Sequence, residues 1–166
     1  MSGPLYLLDS NCFIQAHRMT YPLDVATSFW AKLKQLADEG TISSIDKVKG
    51  ELGRNKDALH LWCAANLQPD FFHSSGSVMA DYARVIQTAS RRIPPYSQSA
   101  LSTFFDKDEA DAWLIAHALQ KGLPIVTHEV SQPAGIANVK IPDICNLLGV
   151  RTLITIAMFR ELNEQF

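Results

Sequence analysis

The chain has 166 residues, 47% hydrophobic and 19% charged, with a formal net charge of −2. This length and composition fit one globular domain, 1–166, with a single core. The slightly acidic balance excludes a molecule that grips polyanions through bulk positive charge, so any such partner must be met by a local basic patch or a bound cation.

Leu5-Tyr6-Leu7-Leu8 is a short apolar run of the kind that forms a strand buried on both faces, and Asp9-Ser10-Asn11 ends it with turn and cap residues. A helical segment follows from Cys12 to His17 and breaks at Tyr21-Pro22. Asp24 to Glu39 carries Val25, Phe29, Trp30, Leu33 and Leu36 at helical spacing, with Gly40 as a stop. Thr41 to Ile45 reads as a second strand, and Asp46 is placed to cap a helix bearing Val48, Glu51 and Leu52. A helix from Asp57 to Asn66, a weak strand at Phe71-Phe72-His73 and a helix from Ser77 to Arg92 come next, the last stopped by Pro94-Pro95.

Asp108 is positioned to cap the nearly all-apolar helix Ala110 to Leu119, which exits through Gly122-Leu123-Pro124. Ile125-Val126-Thr127 is a short strand with His128-Glu129 at its end. Val139-Lys140-Ile141 is expected as a fifth strand, with helix filling the remainder. Short apolar strands alternating with helices predict a three-layer α/β/α sandwich around a mainly parallel sheet of four to five strands. Ligands of such sheets sit beyond the carboxyl ends of the strands, where Asp9 and Glu129 fall.

The three cysteines, Cys12, Cys63 and Cys145, form no CxxC pair and read as buried thiols in a reducing compartment. No basic segment precedes Leu5, and no stretch approaches the roughly 20 apolar residues that span a bilayer, so a cytoplasmic protein without a membrane partner is expected.

Four acids carry the chemistry: Asp9, Glu51, Asp111 and Glu129. Asp9 alone also satisfies an Asx turn, and Glu51 also fits a surface pair with Lys47, worth about 0.3–0.5 kcal/mol. Asp111 shares a stripe with Ile115 and Ala118 in the first turn of an apolar helix, where the helix dipole also favours a carboxylate. Hard oxygen ligands suit Mg²⁺ or Mn²⁺, which need few carboxylates beside water and phosphate oxygens.

At these residues the chain resembles PIN-domain nucleases, through Leu7-Leu8-Asp9-Ser10-Asn11, Val48-Lys49-Gly50-Glu51-Leu52, Asp111 to Ala118 and Ile125 to Glu129. The third segment is the most specific, and together they extend over roughly residues 5 to 145. With Thr-His-Glu and Ile-Pro-Asp near its end, the chain is most similar to a bacterial branch related to the VapC-type toxins. The resemblance implies Mg²⁺- or Mn²⁺-dependent RNA hydrolysis, with Asp9, Glu51 and Asp111 as the first three acids. Metal ligation falls to Asp9, Asp111 and Glu51, and Glu129 stands where the family usually has an aspartate. Asn11 and Thr127 match supporting polar positions, and Asp143 matches the late Ile-Pro-Asp without an assigned role. A toxin of this kind implies a cognate antitoxin, and homodimers are common.

Phosphate contacts are expected from Lys47, Lys49 and Arg54 with Lys56, and from Arg91 and Arg92 with Arg84, although such runs also read as solvated helix faces. Tyr96 and Phe104 fit either base stacking or packing, and His117 reads as core. A P-loop is excluded because GxxxxGK[ST] is missing. The competing reading is a catalytically degenerate PIN-like protein that acts as a protein- or RNA-binding module.

Overall fold

The computed structural model describes residues 3–166. Five strands, β1 (Tyr6–Leu8), β2 (Ile42–Ile45), β3 (Phe72–His73), β4 (Ile125–Val126) and β5 (Thr152–Leu153), form one sheet in the order β3-β2-β1-β4-β5. Every pairing is parallel, with Leu7 opposite both Ser43 of β2 and Ile125 of β4. Tyr6, Leu7 and Leu8 are all buried, as a central strand covered on both faces requires.

The chain moves from β1 outward through β2 to β3, then returns across the sheet to β4 and on to β5. With right-handed crossovers this places α1 (Ser10–Gln15), α2 (Thr27–Asp38), α3 (Asp46–Leu52) and α4 (Ala58–Asn66) on one face. On the other lie α5 (Met79–Arg91), α6 (Gln98–Phe104), α7 (Asp111–Lys121) and α8 (Ile141–Leu148), with α9 (Thr155–Leu162) closing the chain. The result is an α/β/α arrangement whose direction of winding reverses between β1 and β4.

Helix α7 packs against α5, α8 and β4, and its residues Ala112 to Ala118 are buried without interruption. That enclosure explains an apolar run too continuous for a one-faced surface helix. Gly122, at φ 67°, ends the helix in the left-handed conformation.

Five expectations are corrected. Val139 and Lys140 are not a strand: Ile141 starts α8, and the fifth strand is Thr152–Leu153. Its pairing is non-local, with the amides of Ile125 and Thr127 donating to the carbonyls of Arg151 and Leu153 (both 2.9 Å). Asp108 does not cap α7; its own amide donates to Asp106 Oδ1 at 2.9 Å, and Ala110 is the cap residue. Asp46 is the first residue of α3 rather than its cap, and its carboxylate bonds Lys47 and Ser75. Helix α6, capped by Ser97 through the Ala100 amide at 3.1 Å, occupies a stretch where no element is expected. The first helix starts at Ser10 rather than Cys12 and runs into a π-helical turn at Ala16–Thr20.

Leu114 is fully buried in α7. Leu114→Ala is expected to lower the unfolding free energy by about 2–5 kcal/mol through lost burial and a residual cavity, read by urea denaturation.

Candidate active site

The reversal of winding between β1 and β4 creates the crevice where open parallel sheets bind ligands. The turns that leave these two strands carry Asp9 and Thr127-His128-Glu129. Asp9 is 2% exposed and caps α1, its Oδ1 accepting from the Ser10 amide at 2.7 Å. Its Oδ2 accepts from the Thr127 hydroxyl at 2.9 Å. Thr127 Oγ1 in turn accepts from Asn11 Nδ2 (3.3 Å) and the Glu129 amide (3.2 Å), while Asn11 Oδ1 accepts from the His128 amide (3.1 Å). Asn11 and Thr127 thereby lock the β1 and β4 exits together around one carboxylate.

Glu51 is committed on both oxygens. Oε2 accepts from the Ser10 hydroxyl at 2.6 Å, and Oε1 accepts from the Ala110 amide at 2.9 Å. It therefore satisfies a free donor at the start of α7 and joins that start to the Asp9 turn. No Glu51–Lys47 pair forms among the described residues; Lys47 Nζ lies 5.4 Å from the centroid of the Trp113 ring. Glu129 Oε2 accepts from the Ile141 amide at 2.7 Å and so satisfies the first turn of α8. Asp111, at the first turn of α7, has no hydrogen-bond donor to its carboxylate among the described residues.

These acids feel one another. Burial, then Glu129 and Glu51, push Asp9 up to about 7, against a partial offset from the Thr127 and Ser10 hydrogen bonds. Asp111 is raised well above the usual carboxylate range by burial and by Asp9, Glu129 and Glu51. Glu129 is raised chiefly by burial, with the Ile141 amide and Lys140 opposing it. No group of three or more His, Cys, Asp or Glu among the described residues is arranged to hold a metal ion. Asp9, Glu51 and Glu129 each accept a backbone amide at a helix start, and Asp111 is the acid of the four without a hydrogen-bond donor among the described residues.

Asp143 and Ser10 are the contributors that the sequence leaves without a role. Asp143, buried in the first turn of α8, accepts from the Ser131 hydroxyl (2.5 Å) and the Gln132 amide (2.9 Å), and so pins the segment that follows Glu129. The Ile-Pro-Asp pattern marks the residue, but its target is not local. Ser10 is visible only as part of Asp9-Ser10-Asn11.

The basic residues divide. Lys49, Arg54 and Arg91 are exposed, with Arg54 Nη2 donating to the Asp108 carbonyl at 3.0 Å. Arg92, expected beside Arg91 on a solvated face, is instead buried, lies 3.7 Å over the Tyr96 ring and donates to the Pro133 carbonyl at 3.0 Å. Tyr96 and Phe104 are both buried and act in packing. His117 is fully buried, with Nε2 3.4 Å from Ser75 Oγ, and desolvation pushes it down to about 4. The three cysteines are buried and unpaired, and burial raises their thiols.

Residues 6–166 match the family model described as Domain of unknown function (DUF4411). The chain belongs to this family. No curated protein matches this DUF4411 member. Among solved structures, VapBC2 from Rickettsia felis, bound to a DNA fragment from its promoter, is similar over 76% of this chain and 88% of that one, with 16% identity and a TM-score of 0.48. No helix among the described residues of the DUF4411 chain is long and apolar enough to cross a membrane.

The buried acids make stability depend on pH. Asp9 rises from 3.8 to about 7 on folding, so the folded state holds its proton more tightly and stability falls as pH climbs from about 4 to about 7. His117 works the other way: it is lowered from 6.5 to about 4, so the unfolded chain takes up its proton first and stability rises with pH across that window. Comparing wild type with Asp9→Asn isolates the acid. The variant's advantage in urea unfolding is expected to grow steadily between pH 4 and 7, and a constant difference would show that Asp9 does not titrate there.

Proposed function

We propose that this protein is a Mg²⁺- or Mn²⁺-dependent endoribonuclease of PIN-like type. The observation that carries the reading is the convergence of Asp9 and Asp111 at the β1/β4 switch point, with Asp111 lacking any hydrogen-bond donor among the described residues. A hard-oxygen pair left mutually repelled suits a hard divalent cation. Mg²⁺ commonly binds through one or two carboxylates and fills its remaining positions with water and phosphate oxygens. A two-carboxylate site is therefore compatible with the lack of any three-residue ligand group among the described residues.

In this reading Asp9 and Asp111 would hold the cation, which would offset transition-state charge and lower the pKa of water. Glu51 positions Asp111 by fixing the α7 start and positions Asp9 through Ser10. Thr127 and Asn11 set the orientation of the Asp9 carboxylate. Glu129 holds α8 in place and adds its second oxygen to the negative field that repels RNA until a cation is present. Lys49, Arg54 and Arg91 supply exposed positive charge for the RNA backbone, with Lys47 beside them. Arg92 is left out because it is buried.

A cognate antitoxin is the partner that the PIN-domain resemblance of the four acidic segments implies, with a homodimer as a further state. The second reading, a PIN-like binding module without activity, is favoured by the hydrogen-bonded state of Glu51 and Glu129.

Cleavage of a mixed-sequence RNA separates the two. Activity is expected with Mg²⁺ or Mn²⁺ and none with EDTA. Asp111→Asn is expected to reduce the rate on the order of 100-fold or more, with thermal unfolding still cooperative. Equal rates for wild type and Asp111→Asn would remove the metal-site reading and leave the binding module.

A further inference from the structure

A cleft of about 230 Å³ lies beside the acids, between α6 and the segment that leads into α8, with Asp111 and Glu129 among its lining residues. Ala100, Phe104 and Val139 line it and are buried, so they add an apolar part to a lining that is otherwise polar. Ser99 and Thr103 are exposed and lie one helical turn apart on α6, so both hydroxyls fall on the same face. Thr103 Oγ1 donates to the Ser99 carbonyl at 3.2 Å, which leaves its lone pairs free to accept. On the opposite wall Asn138 is exposed, and its side-chain amide has no partner among the described residues.

We propose that this cleft is a subsite for one base of a single-stranded RNA, next to the phosphate that a cation at Asp9 and Asp111 would hold. The inference rests on the ribonuclease reading and names the part of the substrate that the chain selects. The volume is below the roughly 300–1,000 Å³ of drug-sized pockets and matches one planar ring system. The adjoining carboxylates disfavour a phosphate in the cleft, whereas a neutral base presents an apolar face to the apolar part of the lining and polar edges to the rest. Asn138 offers both a donor and an acceptor, which is what reading a base edge requires. Lys140, also lining the cleft, supplies a cation for the connecting backbone.

Binding of the pentamers A5, C5, G5 and U5 tests this by fluorescence anisotropy, with Mg²⁺ present and in an Asp111→Asn background so that the RNA stays intact. One pentamer is expected to bind about tenfold more tightly than the weakest, within the range of a base-edge contact. Ala137→Trp changes an exposed cleft residue and fills the space; it is expected to remove that preference with thermal unfolding unchanged. Asn138→Ala is expected to change the order of the four bases. Equal binding of all four pentamers, no binding of any, or an Ala137→Trp protein that keeps the preference overturns the subsite. If wild type cleaves no RNA while Ala137→Trp still abolishes base-selective binding, the subsite stands and the nuclease reading falls. If wild type cleaves RNA and the pentamers bind without preference, the reverse holds.

Discussion

Carboxylates at helix starts organise this structure. Asp9 caps α1, Glu51 receives the amide that opens α7, and Glu129 receives the first amide of α8. Each helix beginning leaves amides unsatisfied and a partial positive charge, and a carboxylate there answers both. Such an interaction contributes about 0.3–1 kcal/mol at an exposed site and up to about 2 kcal/mol where partly buried. It also explains how several acids can share a small volume with little direct cationic support. The helix ends hold Glu51 and Glu129 in place, while Asp9 and Asp111 remain raised by burial and by their neighbours.

Glu51 has the widest reach of the three. One side chain on α3 connects the β1 exit, through Ser10, with the start of a helix 59 residues away in sequence. Displacement of α7 would therefore shift both Asp111 and the turn that carries Asp9. The buried flank of α7 resists that displacement, since Ala112 to Ala118 are enclosed by α5, α8 and the sheet. Apolar packing and acid placement thus act on the same helix.

The segment from Glu129 to Lys140 has little regular structure, yet four anchors fix it. Glu129 bonds Ile141, Asp143 bonds Ser131 and Gln132, Arg92 bonds the Pro133 carbonyl, and the Ser97 amide donates to the Ile136 carbonyl at 2.9 Å. Two of these anchors are buried charged side chains, consistent with the rule that such groups persist when they are hydrogen-bonded. Arg92 is the less complete case: Nε and Nη1 have no hydrogen-bond partner among the described residues, and the Tyr96 face supplies a cation–π contact instead. The anchored segment forms one wall of the cleft, and α6 forms the other.

The amino-acid sequence alone determined the parallel α/β character, four of the five strands, and the strand-end position of Asp9 and of Glu129, because apolar runs and turn residues act locally. It also determined that α7 is deeply buried, since no one-faced helix is so uniformly apolar. Tertiary structure decided what the local pattern leaves open. Thr152–Leu153 is a strand only because β4 offers free amides and carbonyls to a two-residue segment. Arg92 points inward because Tyr96 and Pro133 receive it, although its neighbours in sequence read as a surface run. The roles of Glu51, Glu129 and Asp143 are set by amides and hydroxyls contributed from distant segments or across a folded-back loop. Which amide or hydroxyl each acid receives is therefore a matter of long-range hydrogen bonding, which residue type and spacing do not encode.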